Sequence, residues 1–293
     1  MTVRAFLQQL KFWDNKTSGH QILVIFREKL FQFDLDVRAA AVAYNFTLAV
    51  FPTIIFLFSL LPYIPIRHLD YKIIDFLQKA IPSGLSQSVI ETIMEIANKR
   101  HGNVLSLGFI LALYASTSGI SALMKSFNLT YKTVENRGFI KSKLIAVMMN
   151  FLLTLVLVVA IIFIIIGRLI TDYYFNEGIL SLNFTFYALK ILTYLVIFSV
   201  FFITISIIYY YGPAIQKKWN FFSIGSLIAS VLTILVTNLF SYYLANFANY
   251  NKIYGSIGTV IALMVWLYLI ALILILGFEV NATIDHAKTQ KNK

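Results

Sequence analysis

The sequence predicts an all-α, polytopic membrane protein with six transmembrane helices and short amphipathic helices at the membrane interface. The first observation is that six stretches of 24 to 33 residues contain no Asp, Glu, Lys or Arg. A bilayer core needs about 20 apolar residues per spanning helix, and a charge at its centre costs about 3 kcal/mol. The stretches are Ala39–Ile66, His101–Met124, Leu144–Gly167, Ile191–Gln216, Trp219–Asn251 and Ile253–Phe278.

Composition and the distribution of charge are the other two observations. The 293 residues are 59% hydrophobic and only 13% charged, whereas a soluble domain carries about 25% charged residues. The net charge of +11 suggests nucleic-acid binding, but membrane topology explains it better. With Lys190 left out, alternate segments between the stretches hold 16 Lys and Arg against 7 in the others. The excess predicts that both termini are cytoplasmic and that nucleic acid is not a partner.

The segment before the first span, residues 1–38, is amphipathic and is predicted to be cytoplasmic. It forms either a helix lying in the interface or a helix packed under the bundle. The first span, at about 39–61, opens with alanines that allow close helix approach, and Pro52 tends to kink it. The loop at 67–100 is predicted to form two short helices on the outer surface.

The remaining spans differ in the surface that they are predicted to present. Small residues recur at three- and four-residue spacing in the second span and predict tight packing, whereas the third span is uniformly apolar and is predicted to face lipid. The fourth span ends at Tyr211-Gly212-Pro213, where its tyrosines suit an interface belt. The sixth follows a predicted turn at Tyr254-Gly255-Ser256. The predicted bounds are 104–124, 144–167, 190–211, 221–244 and 257–278, within a domain of 39–281 that precedes a cytoplasmic tail at 282–293.

The residue types that carry soluble-enzyme chemistry are missing from the sequence or scattered along it. There is no cysteine, and the four histidines show no metal-ligand spacing. Neither a phosphate-binding Gly-x-x-x-x-Gly-Lys loop nor a Gly-x-Ser-x-Gly nucleophile turn occurs. We therefore expect no cofactor, no metal and no enzymatic activity.

Ionisable residues at the ends of spans are the most informative candidates. Glu279 follows 26 residues without a charge, and Asn281 lies two positions further, on a different helical face. Glu279 either lines a polar cavity or proton path, or anchors the interface by pairing with Lys217 or Lys218. Arg38 can pair with a residue four positions earlier, and serves as an interfacial anchor or as a cytoplasmic gate or headgroup contact.

Amide side chains inside or near the spans are the other polar candidates. Because an unpaired amide is costly in lipid, we expect these residues to face the bundle, mostly to join helices and in a few cases to line a pathway. They are Asn45, Asn150, Asn238 and Asn246.

Three blocks of residues carry a resemblance to a known family. They are Asp36 with Arg38-Ala39-Ala40-Ala41-Val42-Ala43-Tyr44-Asn45 and Phe51-Pro52; Tyr211-Gly212-Pro213; and Tyr254-Gly255-Ser256-Ile257-Gly258 with Trp266-Leu267-Tyr268 and Gly277-Phe278-Glu279-Val280-Asn281. In their order and spacing the chain resembles the YihY/virulence factor BrkB family of bacterial inner-membrane proteins, once labelled ribonuclease BN. The resemblance implies six membrane helices, cytoplasmic termini and a link to envelope integrity and serum resistance. It implies no settled activity.

Three hypotheses for function follow. The first is a permease or flippase-like protein for an envelope or lipid-linked component, with membrane lipids as partners. The second is a non-transporting scaffold for envelope integrity, and the third a membrane-embedded enzyme; a homo-oligomer is compatible with each. A polar cavity reaching the midplane favours transport, and a solid apolar core favours a scaffold. The candidate functional positions are Arg38, Tyr44, Asn45, Pro52, Tyr211, Gly212, Pro213, Tyr254, Gly255, Glu279 and Asn281.

Overall fold

The computed structural model describes residues 33–60, 102–131, 136–176, 182–215, 219–246 and 250–291. Over these residues the chain forms six α-helices and no strand, which confirms the predicted all-α class. The helices are α1 Phe33–Leu60, α2 Gly102–Thr130, α3 Phe139–Asn176, α4 Leu182–Tyr211, α5 Ile224–Asn246 and α6 Tyr250–Lys291.

Five of these helices are long and apolar enough to cross a membrane, so the protein is a multi-pass membrane protein. Their candidate spans are Ser106–Thr130, Phe139–Ala160, Ile191–Tyr211, Ile224–Leu244 and Val260–Asp285. Helix α1 has 28 residues and is about 42 Å long at about 1.5 Å per residue. Its first turns carry Asp34, Asp36 and Arg38, which lower its apolar character, and a sixth span at α1 stays a prediction.

Some predictions lie outside the described residues. These are the amphipathic segment before Phe33, the two short helices of the 67–100 loop, and the side chains of Lys217 and Lys218. The predicted turn at Tyr254-Gly255-Ser256 is wrong, because α6 begins at Tyr250 and continues through Gly255. In an apolar environment, backbone N–H and C=O groups find hydrogen-bond partners only within the helix itself. Continuation of the helix is therefore favoured, although a glycine inside a helix costs about 1 kcal/mol.

Helix α6 is the centre of the bundle and packs against α1, α2 and α5. Its residues from Ile273 to Ala282 are all buried. The most extensive contact between two helices joins α1 to α2, and α3, α4 and α5 follow as neighbours in chain order. Because lipid tails are as apolar as the side chains, these contacts gain stability from close packing and hydrogen bonds between helices.

The predicted contrast between the second and third helices is confirmed. The buried share of the candidate span is 39% for α2 and 18% for α3. Gly119 on α2 faces Phe46 on α1, and a β-carbon added there would lie 2.5 Å from the Phe46 ring. On α3, Phe151, Leu155 and Val158 are exposed, as a lipid-facing helix requires.

Candidate functional site

Polar residues gather at one end of the bundle, where α1, α3 and α5 begin and where α2, α4 and α6 finish. Arg38 contacts the Glu279 side chain there, whereas Arg137 and Asn281 contact the backbone of Gly212 and of Gly225. Three further cations, Lys125, Lys141 and Lys143, belong to the same helix ends. We call this the basic end of the bundle; the charge count predicts that it faces the cytoplasm.

Arg38 joins three helices at the basic end and is only 8% exposed. Its guanidinium donates from Nη1 to Thr130 Oγ1 at 2.7 Å and to the Ser126 carbonyl at 3.1 Å, both on α2. From Nη2 it donates to Glu279 Oε1 on α6 at 3.4 Å. The predicted pairing with Asp34 is confirmed at 3.4 Å. Among the described residues, Arg38 is thus the basic partner of Glu279.

The Arg38–Glu279 pair is almost fully removed from solvent. The exposed side-chain fractions are 8% for Arg38 and 6% for Glu279. Taking two charges out of water costs several kcal/mol per ion, which the pair offsets through its mutual attraction and the hydrogen bonds to α2. Apolar residues of similar volume often hold helices together as well or better. The presence of a buried ion pair therefore marks a candidate functional residue pair.

Asn281 makes a second polar contact between helices, on the face of α6 that meets α5. Its Oδ1 accepts a hydrogen bond from the Gly225 backbone N–H, and its Nδ2 donates to Ser223 Oγ, both at 2.8 Å. Ser223 caps α5 by accepting from the Ser226 N–H at 3.2 Å. The first turn of a helix has N–H groups without helical partners, so Asn281 supplies an acceptor that α5 needs. Glu279 and Asn281 contact different helices.

Two glycines let α5 and α6 approach each other closely beside Asn281. A β-carbon added to Gly225 would lie 2.1 Å from the Gly277 carbonyl oxygen, and one added to Gly277 would lie 2.5 Å from Tyr209 Oη. Tyr209 is 2% exposed and donates its hydroxyl hydrogen to the Leu274 carbonyl at 2.7 Å. The expectation that the tyrosines at the end of α4 form an interface belt is therefore wrong for Tyr209, because its ring packs against Phe127 and Phe278.

The Tyr211-Gly212-Pro213 sequence ends α4 as predicted, and the structure shows what holds this end. Arg137 donates to the Gly212 carbonyl at 2.8 Å, and Asn128 Oδ1 accepts from the Ala214 N–H at 2.8 Å. Gly212 and Pro213 are buried. These bonds fix the end of α4 against the end of α2 and its following loop.

Aromatic rings pack against one another at the centre of the basic end. Phe127 stacks on Phe278 with ring centroids 4.2 Å apart, and Trp219 lies 5.0 Å from Phe278. The Tyr131 hydroxyl donates to the Asp285 carboxylate. Burial raises the pKa of Tyr131 above its ordinary value, and the hydrogen bond and negative charge of Asp285 raise it further. The phenol therefore keeps its proton at physiological pH and remains a hydrogen-bond donor.

A polar groove of about 380 Å³ lies beside Arg38, between α1, α2 and the start of α3. Exposed residues such as Ala41 and Leu129 form part of its wall, so it opens at the surface of the bundle. We call it the basic groove. Its polar lining residues are Arg38, Asn45, Ser118, Ser121, Lys125, Ser126 and Lys143.

A row of buried and half-buried hydroxyls along α5 and the residue before it, which sequence reasoning missed, extends from the basic end into the bundle. Ser226 and Ser230 are fully buried, Thr233 is 2% exposed, and Thr237 Oγ1 accepts from Trp266 Nε1 at 3.4 Å. The first and last hydroxyls of the row lie 14 positions apart, about 21 Å along the helix axis. The spacing of three and four residues between these hydroxyls places them on one face of a helix, and it is visible in the sequence. The row consists of Ser223, Ser226, Ser230, Thr233 and Thr237.

The other predicted positions lie outside this site or take a smaller part in it. Tyr44 is 57% exposed, and Pro52 is partly buried inside an uninterrupted α1. Tyr254 and Gly255 belong to the first turns of α6, about 36 Å from Glu279 along the helix, and nothing is described of their surroundings. Asn45 lines the basic groove, although its amide donates to the Ala41 carbonyl of its own helix.

The remaining predicted amides have different outcomes. Asn150 joins α3 to α2 by donating to Thr117 Oγ1 at 3.2 Å, which confirms the expected role between helices. The prediction is wrong for Asn238, which is exposed and satisfied by the Ile234 carbonyl of its own helix at 2.9 Å. The side chain of Asn246 lies outside the described part of the chain.

Comparisons with known proteins cover nearly the whole chain. A family model described as Virulence factor BrkB matches residues 27–293. The putative ribonuclease-like protein YfkH of Bacillus subtilis is 33% identical over 261 residues, 86% of this chain and 90% of the relative. A UPF0761 membrane protein of Coxiella burnetii is 26% identical over 95% of this chain and 98% of its own length. No solved structure matches this chain.

Proposed function

Because this chain belongs to the virulence factor BrkB family of multi-pass membrane proteins, we propose that it is a flippase-like permease. In this proposal it moves an envelope or lipid-linked component across the bacterial inner membrane. The polar part of the substrate follows the inside of the bundle, and any acyl chain stays in the surrounding lipid. The proposal assigns no catalytic reaction to the chain.

The observation that carries this proposal is the buried Arg38–Glu279 pair, which borders the basic groove. A protein that only holds partners together has no need of charges at the edge of the hydrocarbon, where each is costly. A transporter has such a need, because its polar substrate must find compensating groups in the same environment. Arg38 is placed for this role, since it contacts α1, α2 and α6 and also lines the groove.

The hydroxyl row of α5 supports a route deeper into the bundle. Hydroxyl groups can donate and accept hydrogen bonds, so a row of them can replace the solvation of a moving polar group. Within the described part of the chain, the hydroxyls of Ser206 and Thr233 have no hydrogen-bond partner although they are buried. Ser226 and Ser230 of this row are fully buried in the packed bundle. We therefore propose that the helices move apart during transport, in the manner of alternating access.

Lipid movement in liposomes tests the function. The purified chain is reconstituted into liposomes that contain phosphatidylglycerol with a fluorescent label on its acyl chain. Dithionite, which does not cross the membrane, then bleaches the label in the outer leaflet only. We expect the bleached fraction to rise well above that of protein-free liposomes, and to return to that level with Arg38→Met. The control Leu155→Met, on the exposed face of α3, should behave as the wild type.

Equal bleaching with and without the wild-type protein, for this lipid and for lipid extracted from the cell envelope, would contradict transport. In that case a scaffold would be the better explanation. The extracted lipid is included because the proposed substrate is defined only as an envelope or lipid-linked component, and phosphatidylglycerol is one example of that chemistry.

A further inference from the structure

We propose that the basic groove binds the phosphate of an anionic lipid headgroup, with Lys125 and Lys143 as its main cationic ligands and Arg38 at its inner wall. This inference rests on the proposed function, because it names the substrate class of that same site. Charge, hydrogen bonding and the neighbouring apolar surface all favour such a ligand.

The groove carries positive charge that the described residues do not compensate. Arg38 already pairs with Glu279 and Asp34. Lys125 and Lys143 both line the groove, and in the described part of the chain neither forms an ion pair. Two uncompensated ammonium groups facing one cavity repel each other, more strongly as the surroundings become less polar. The phosphodiester of a lipid headgroup carries a negative charge, which offsets this repulsion when it lies between the two ammonium groups.

The donors around the groove match the acceptors of a phosphate. Each lysine offers three N–H donors, whereas the hydroxyls of Ser118 and Ser121 donate to the Tyr114 and Thr117 carbonyls of their own helix. Lys143 Nζ already lies 3.3 Å from Ser121 Oγ, which holds the two groups on the same side of the cavity. Among the described residues that line the groove, none is acidic, and the nearby carboxylates of Asp34 and Glu279 are paired with Arg38. Its volume of about 380 Å³ suits a headgroup rather than a whole lipid.

The surface beside the groove indicates a lipid rather than a soluble phosphate. The start of α3 also lines an apolar hollow of about 720 Å³, whose wall includes Phe139, Ile140, Leu144 and Met148. These four side chains are exposed. Lys143 of the groove and Leu144 of the hollow are consecutive residues. A molecule with a phosphate at one end and an acyl chain at the other fits both cavities across α3.

Counting bound lipids by native mass spectrometry tests this inference with the full chain in detergent. We expect phosphatidylglycerol to bind at least tenfold more tightly than phosphatidylcholine. The double variant Lys125→Gln with Lys143→Gln should lose this preference. The control Lys190→Gln removes a charge near the start of α4, at the other end of the bundle, and should keep it.

Two outcomes would overturn the inference. One is an equal preference for phosphatidylglycerol in the double variant and in the wild type. The other is displacement of the bound lipid by inorganic phosphate at a concentration no higher than that at which phosphatidylglycerol displaces it. This result would make the ligand a soluble anion.

The binding result is separate from the transport result. Selective binding without lipid movement would contradict the proposed permease and leave the headgroup site in place. Lipid movement by the double variant at the wild-type rate, with no headgroup preference, would leave the permease in place and remove the headgroup site.

Discussion

At the scale of residues, Arg38 matters because it belongs to two features at once. It forms the buried pair with Glu279, and it lines the basic groove. A ligand that attracts Arg38 competes with Glu279 for the same guanidinium. Binding in the groove can therefore weaken the contact between α1 and α6, which is how a local event would reach the centre of the bundle.

The first prediction is that Glu279→Gln abolishes function and leaves the protein inserted at normal abundance. The amide keeps the shape and a hydrogen-bond acceptor but removes the negative charge that Arg38 faces. Complementation of an envelope-stress phenotype, scored together with membrane abundance, measures both. Asp34→Asn is the matched control, since Asp34 is 74% exposed and its ion pair with Arg38 contributes about 0–1 kcal/mol. Full complementation by Glu279→Gln would remove this residue from the site.

The second prediction concerns Gly225, where α5 and α6 touch. Gly225→Ala should lower thermal stability in detergent, by about 1–3 kcal/mol of unfolding free energy, because its β-carbon collides with the Gly277 carbonyl. Gly138→Ala is the control, because a β-carbon there meets nothing within 4 Å. If both variants unfold at the same temperature, the close approach of the two helices is not required.

At the scale of elements, the six helices divide into a packed group and a lipid-facing group. Helix α6 packs against α1, α2 and α5 and carries the longest run of buried residues. Helix α3 has most of its described aromatic and aliphatic side chains exposed. In the proposed transport the packed group would have to separate, so the polar contacts of α6 with α1 and α5 would have to break.

The third prediction tests this division. Gly119→Leu should disrupt the packing of α2 on α1, because even a β-carbon at this position would lie 2.5 Å from Phe46. Val158→Leu on α3, where the side chain is 47% exposed, should be tolerated. Thermal unfolding of both variants in the same detergent separates them, and equal stability would show that α2 is not a packed helix.

Prediction from the sequence succeeded where the signal lies within one helix. The charge-free stretches overlap the six helices. The four-residue spacing of Asp34 and Arg38 predicts the ion pair that the structure shows. The partner of Glu279 could not be predicted, because Arg38 is 241 positions away and periodicity does not identify which helices pack together. The sequence predicts a turn at Gly255 because glycine permits one, but the lipid environment favours continuation of α6 through this residue.

At the scale of the whole molecule, the described helix ends around Arg38 carry a group of basic residues. The ends of the helices near Arg38 hold Lys125, Arg137, Lys141 and Lys143. A membrane protein retains such an end in the cytoplasm, where anionic lipid headgroups also concentrate. If the basic end faces the cytoplasm, as the charge count predicts, the basic groove lies at the membrane face where an anionic substrate would be available.

The fourth prediction is the orientation of the molecule. The chain contains no cysteine, so single cysteines can be introduced at Asn136 near the basic end and at Tyr187 near the other end, both exposed. An impermeant thiol reagent added to intact cells should label Tyr187→Cys and leave Asn136→Cys unlabelled until the cells are opened. The reverse pattern would place the basic end outside and overturn the assignment of the termini.

The central claim is that the buried Arg38–Glu279 pair takes part in moving an amphiphile across the membrane. The most direct measurement is the initial rate of lipid movement per reconstituted molecule, for the wild type, Glu279→Gln and Val158→Leu in matched liposomes. The account predicts a rate well above that of protein-free liposomes for the wild type and Val158→Leu, and a rate indistinguishable from protein-free liposomes for Glu279→Gln. A Glu279→Gln rate equal to that of the wild type would contradict it.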